Sequence, residues 1–200
     1  MDTQPTTTPP SPLPADLRRL VLTGFMGAGK STVGRLLATR LGWDFLDLDT
    51  FIESRTGLTI PNIFAIHGEP HFRQLESEAL ACALLRDNLV LALGGGAPET
   101  PANRLLLKQT LATATIFLDA PFAMLYNRCV AQSVDPTTTE SAPGDPAQTR
   151  PNLTDPAAAE ARFLTRCPIY RSLADSTIDT STLTTQETVA AILDLIHPKK

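Results

Sequence analysis

Gly24-Phe-Met-Gly-Ala-Gly-Lys-Ser31 is the stretch that decides the fold. Gly24, Gly29, Lys30 and Ser31 stand at the spacing of a Walker A loop. Glycines at these places let backbone N–H groups wrap around phosphate oxygens without Cβ clashes, and a following helix adds the positive end of its dipole. The flanks supply that context. Arg19-Leu-Val-Leu-Thr23 reads as a short apolar strand. After the loop, Val33, Leu37 and Leu41 recur on one helical stripe that Gly42 stops. Gly27, Ala28, Gly29, Lys30, Ser31 and Thr32 are therefore expected to hold the phosphates of ATP. Lys30 would reach the β- and γ-phosphates, and the Ser31 hydroxyl would serve Mg²⁺.

Outward from the loop, strand and helix signals alternate. Trp43 to Leu48 reads as a second strand, with short helices over Asp49–Thr56 and Ile60–Ile66. Glu69-Pro70 opens a longer helix whose expected buried stripe is Phe72, Leu75, Ala79 and Cys82. Asn88–Leu93 is an almost unbroken apolar run, as a central parallel strand covered on both faces requires, and Gly94-Gly-Gly96 ends it. A helix over Pro101–Thr110, a strand over Ala114–Leu118 and a helix from Pro121 follow. A further helix spans Pro156–Leu173, a last strand Ser176–Asp179 and a closing helix Gln186–Ile196. This alternation predicts a three-layer α/β P-loop domain around a parallel sheet of about five strands.

Two segments fall outside the pattern. Residues 1–16 are rich in Thr and Pro and lack the basic and apolar regions of a secretory signal, so a disordered tail is expected before a domain over 17–200. Residues 131–155 carry Pro136, Pro143 and Pro146 with almost nothing apolar, and are expected to form a mobile lid.

Composition narrows the partners. The net charge is -4, which gives no basic footprint for nucleic acid. No apolar run reaches the length of a membrane span. Cys82, Cys129 and Cys167 form no CxxC and no zinc spacing, so reduced thiols in a cytoplasmic protein are expected. His67 and His71 are i,i+4 but lack the Glu of a metalloprotease helix.

A Walker A loop serves switch GTPases, motor ATPases and kinases alike. No Asn-Lys-x-Asp guanine motif is present, and Phe117-Leu-Asp119, the nearest approach to a Walker B strand, lies late in the chain. The second strand instead ends Leu46-Asp47-Leu-Asp49. Two carboxylates two apart on a strand end would face one side, beside the P-loop. One could help hold the Mg²⁺ shell while the other takes a proton from an attacking hydroxyl. Solvated helix-capping aspartates are the plainer alternative. Arg73 could be an i,i+3 partner of Glu76, a pair that could equally aim it at a ligand.

Several segments together resemble the shikimate kinase family over roughly residues 18–197. They are Gly24–Gly34, Leu46–Asp49, Gly68-Glu-Pro-His-Phe-Arg-Gln-Leu-Glu76, Gly94-Gly-Gly-Ala97, Thr149-Arg-Pro151 and Arg166-Cys-Pro-Ile-Tyr170. The resemblance implies ATP- and Mg²⁺-dependent phosphorylation of the 3-hydroxyl of shikimate, in aromatic amino-acid biosynthesis. It assigns Asp49 to the shikimate hydroxyls as orienter and base, and Asp47 to Mg²⁺. Arg73 and Arg166 fall on the arginines that clamp the substrate carboxylate, with Gly95 and Gly96 in the glycine turn touching it. Arg150 corresponds to the lid arginine on the ATP phosphates and Arg128 to the arginine flanking adenine. A monomer is expected. Two departures stand out: Asn152-Leu153 replaces the family's usual Leu-Leu after Arg-Pro, in a lid longer than usual, and no proline follows Asp179-Thr180 beside adenine. A gluconokinase-like small-acid kinase and a catalytically inactive ligand-binding relative are the alternatives.

Overall fold

In strand β1 (Arg19–Thr23) successive residues face opposite sides of the sheet. Leu20 and Leu22 enter one apolar core, and Val21 enters another. The structure, a computed structural model, describes residues 13, 16–134 and 155–196. Most of the expected tail and lid, Arg150 included, lies outside the described residues.

After β1 come α1 (Lys30–Leu41), β2 (Asp44–Asp47), α2 (Leu48–Thr56), α3 (Ile60–Ala83) and β3 (Leu89–Ala92). A short 3₁₀ turn (Ala97–Glu99) leads to α4 (Pro101–Gln109), β4 (Thr113–Asp119) and α5 (Phe122–Val134). Then follow α6 (Pro156–Leu173), β5 (Ser176–Asp179) and α7 (Thr185–Ile196). The sheet has five strands in the order β2-β3-β1-β4-β5, every pair parallel. Helices α1, α5 and α7 build the core on one face, α2, α3 and α4 the core on the other, and α6 feeds both. The three-layer α/β architecture expected from the alternating signals is the one observed.

Topology places the site. β3 is the strand between β1 and β2, with Ala92 paired to Leu22 on one side and to Asp47 on the other. The loops that leave these three strands therefore emerge together at one edge, where open α/β sheets take their ligands.

Three local expectations change. Asp49 is not on a strand: β2 stops at Asp47, which becomes the N-cap of α2 and accepts from the backbone N–H groups of Asp49 and Thr50. The helices expected around Gly68 are one element with a break, since Gly68 adopts φ 78 and ψ 170 inside α3. Pro70 thus sits in the first turn of a restarted helix, where its missing N–H has no intrahelical partner to lose. Cys82 is exposed, and the buried stripe beyond the break is Phe72, Glu76, Ala79, Leu80 and Ala83. Leu75 packs partly buried against the same core, as expected, and beside it a carboxylate, Glu76, is buried.

Candidate active site

The P-loop closes against the neighbouring strand. Gly24 has φ 148, and a Cβ there would stand 2.6 Å from the backbone oxygen of Leu118. Gly29, at φ 84, is the N-cap of α1 and offers no side chain to the first-turn N–H groups. Those N–H groups and the dipole they end form a place for anionic oxygens. Lys30 Nζ donates to the backbone oxygens of Gly24 at 2.9 Å and Phe25 at 3.1 Å, which lays its ammonium across the loop.

Ser31, on the first turn of α1, donates its hydroxyl to Asp47 Oδ2 at 2.6 Å. The other oxygen of Asp47 accepts from Asp49 N at 3.1 Å and caps α2. Capping fixes where Asp49 points. Its carboxyl lies against Gly94 so closely that a Cβ on that glycine would collide with Oδ1. Burial pushes the Asp49 carboxyl up to about 7, the negative charges of Asp47 and Glu76 add to the rise, and Lys30 opposes it. A carboxyl that titrates near neutrality is suited to accept a proton from a hydroxyl.

The glycine turn after β3 collects the remaining groups. A Cβ on Gly95 would lie 3.6 Å from Arg166 Nη1, and one on Gly96 only 2.5 Å from Arg73 Nη1. The turn's three successive glycines thus sit beneath Asp49, Arg166 and Arg73 in that order. Tyr170, fully buried, donates its hydroxyl to Gly95 O at 2.5 Å and fixes the turn. Burial pushes that phenol up, so it stays a donor.

Carboxylates aim both arginines. Arg73 donates through Nη1 to Glu76 Oε2 at 2.9 Å, and through Nε and Nη2 to Glu69 Oε1 at 3.2 and 3.0 Å. Burial works against the charge on Arg73, yet Glu76 and Glu69 outweigh it and hold the guanidinium pKa above its ordinary value. Burial pushes the Glu76 carboxyl up, with Arg73 pulling it down. The i,i+3 pair with Glu76 is thus present, and it sets Arg73 over the glycine turn. Arg166 pairs with Glu99 at 2.7 Å, and its buried Nε has no hydrogen-bond partner among the described residues. An N–H left without an acceptor costs about 1–3 kcal/mol, and a ligand oxygen would relieve it.

Arg128 stands apart, at the β5 side of the sheet. Its Nη2 donates to Thr180 O at 2.8 Å and its Nη1 lies 3.3 Å from Thr180 Oγ1. With Pro121, Ala123, Met124, Asn127 and Ala131 it lines a cleft along α5. The structure thus brings together Lys30, Ser31, Asp47, Asp49, Arg73, Gly95, Gly96 and Arg166, while Arg128 faces a separate cleft. Glu99 and Asn103 escaped the sequence reading, and Tyr170 stood in it only as the end of the Arg166–Tyr170 segment, with no role of its own. Asn103, buried, donates to Ala97 O at 3.0 Å and ties down the 3₁₀ turn. Only the proximity of Tyr170 to Arg166 on one helix could have hinted at its part.

Known proteins share the sequence and the fold of this chain. The family model for shikimate kinase matches residues 26–197. A shikimate kinase of Symbiobacterium thermophilum is 38% identical over 180 residues, covering 90% of this chain and 97% of that protein. One from Geobacter metallireducens is 52% identical over 96 residues, 48% of this chain and 54% of the relative, so that match spans about half of the relative's length. Among solved structures, a shikimate kinase from Acinetobacter baumannii in complex with shikimate superimposes with a TM-score of 0.77 at 36% identity, covering 92% of this chain and 97% of that one.

Proposed function

The chain belongs to the shikimate kinase family, and on that premise we propose that it transfers the γ-phosphoryl group of ATP to the 3-hydroxyl of shikimate, giving shikimate 3-phosphate and ADP. That reaction belongs to chorismate and aromatic amino-acid biosynthesis. One observation carries the reading to this site: Asp49, Arg166 and Arg73 each lie over one of the three consecutive glycines Gly94, Gly95 and Gly96. A hydroxyl-facing carboxyl and two carboxylate-seeking guanidiniums thereby share one floor, and it adjoins the P-loop.

Each residue has a task the geometry fits. Arg73 and Arg166 take the substrate carboxylate through planar forks, which suit a carboxylate better than a lysine does. That contact turns the ring so that a hydroxyl reaches Asp49. As the hydroxyl oxygen bonds to the γ-phosphorus, the bond from phosphorus to the bridging oxygen of ADP breaks, and Asp49 takes the hydroxyl proton. Lys30 and the first-turn N–H groups of α1 hold the phosphate oxygens and stabilise the charge that moves onto ADP. Arg150, outside the described residues, would add a cation from the lid, and Arg128 would flank adenine.

The Ser31 hydroxyl and the Asp47 carboxylate, in contact at 2.6 Å, are the hard oxygens a magnesium ion uses. A magnesium ion bound beside phosphates uses one or two protein oxygens and fills its remaining positions with phosphate oxygens and waters. When bound, Mg²⁺ would neutralise phosphate charge. The same reading takes the enzyme to be monomeric and cytoplasmic, the first of which light scattering of the purified chain tests. No described helix is long and apolar enough to cross a membrane.

The test is ADP release with ATP, Mg²⁺ and a panel holding shikimate, quinate and gluconate. Turnover restricted to shikimate is expected, and turnover with gluconate alone would overturn the assignment.

A further inference from the structure

The two guanidiniums assigned to the substrate are already matched by protein carboxylates. Glu76 is committed, with its side chain only 1% exposed and 2.9 Å from Arg73. Glu99 differs. Its Oε2 lies 2.7 Å from Arg166 Nη2 and 3.9 Å from Arg73 Nη2, so a single oxygen faces both cations. That is the posture a ligand carboxylate would take on the same pair.

The backbone beneath Glu99 is fixed while its side chain is not. Glu99 N donates to Gly96 O at 2.9 Å, and Arg104 Nη1 donates to the backbone oxygens of Pro98 at 2.7 Å and Glu99 at 2.9 Å. The Glu99 side chain is 35% exposed. Rotation about its own bonds would therefore carry the carboxylate into solvent without disturbing the turn. Glu76 has no such exit, because withdrawing it would leave a buried carboxylate unpaired. Charge points the same way. Arg73 and Arg166 are met by three carboxylates, Glu69, Glu76 and Glu99, so an arriving anion meets net negative charge that withdrawal of Glu99 would cancel.

Resting on the assignment of Arg73 and Arg166 to the substrate carboxylate, we infer that Glu99 is an internal competitor for this clamp. It holds the arginines aligned and swings out as the substrate's carboxylate replaces it. Glu99 thus sets specificity by making the clamp costly for any anion that gains nothing from Asp49 and the glycine turn as well. It acts through the arginines and is a positioning residue.

The sign of one binding change tests this. The full chain and its Glu99→Gln and Glu99→Ala variants would be titrated calorimetrically with shikimate and, separately, with MgADP. Competition predicts shikimate binding tighter by about three- to tenfold in both variants, as loss of one partly exposed ion pair implies, with MgADP affinity unmoved. KM for shikimate should fall while KM for ATP stays. Gln is isosteric with Glu, so a folding failure of the Ala variant leaves the test intact. Unchanged or weaker shikimate binding would show that Glu99 only supports Arg166 and would overturn the inference, as would equal tightening of both ligands. A wild-type chain that binds MgADP but not shikimate would overturn the substrate assignment, and this inference with it.

Discussion

Gly96 lies directly under the guanidinium of Arg73, where a Cβ would come within 2.5 Å of Nη1 and 2.7 Å of Nη2. The backbone there has φ -91 and ψ -18, which alanine adopts without strain. Gly96→Ala should therefore fold normally and act only by pushing Arg73 away from its ligand. We expect KM for shikimate to rise about tenfold or more while KM for ATP stays within about twofold, since the loss of one charge-assisted contact has that size. Steady-state kinetics on both substrates checks it.

Asp49 should govern the pH dependence of catalysis. Its carboxyl titrates near 7 in the free protein, so kcat/KM for shikimate should rise with pH through a limb centred there. Asp49→Asn removes the base and should lower kcat by about 10²–10⁴-fold. A residual limb near neutrality in that variant would assign it to another group.

The same carboxyl should weaken the fold. Its pKa is raised from 3.8 to about 7 by folding, so the folded chain holds the proton more tightly than the unfolded chain. Below 3.8 both states are protonated and no penalty exists. As pH rises toward 7 the unfolded chain gives up its proton first, and stability falls, levelling off above that value. Asp49→Asn, inactive, should melt higher than wild type at about pH 8 and lose that advantage toward about pH 4. Thermal melts across this range decide the point.

Arg73 and Arg166 should differ in their structural cost. Arg73→Met strands Glu76, whose side chain is 1% exposed, whereas Arg166→Met strands Glu99, which can turn into solvent. The first should cost about 3–5 kcal/mol and the second about 1 kcal/mol or less. Lowering the pH should narrow the difference, because protonation of Glu76 removes the unpaired charge. Urea denaturation of both variants measures it.

Asp47 has two duties that two substitutions separate. Asn is as good an N-cap as Asp, so Asp47→Asn should keep the stability of α2 while raising the Mg²⁺ concentration needed for half-maximal activity about tenfold. Asp47→Ala should show the same Mg²⁺ defect and also lose about 1 kcal/mol of stability. Magnesium titrations and melts on the pair provide the check.

Much of this was legible in the sequence where a local signal was strong. Arg19–Thr23, Pro156–Leu173 and Ser176–Asp179 form the elements their apolar runs and flanking Pro imply, with the same bounds. Asp49 lies in the helix expected over Asp49–Thr56, and the rival alternation argument failed because it assumes the strand continues, whereas Asp47 caps that helix and ends the strand. Cys82 was misplaced for another reason. Hydrophobic spacing ranks Glu76 as a surface residue, and only its ion pair with Arg73 explains why it is buried. Tyr170 and Gly95 meet across 75 residues of chain, a contact no local pattern carries. Glu99 is one acidic residue in a short turn, and nothing but the placement of Arg166 distinguishes it.

The position of β1 between β3 and β4 also constrains how the chain is born. Arg19 pairs with Leu89 on one side and Thr113 on the other, so during synthesis β1 waits for both neighbours. Until Leu118 has emerged, the P-loop lacks the backbone against which Gly24 closes. Nucleotide therefore cannot assist the early, aggregation-prone stages of synthesis, when apolar β1 has no cover. Its stabilising effect begins only once the parallel sheet is nearly complete, which leaves the early chain to long-range strand pairing rather than to its own ligand.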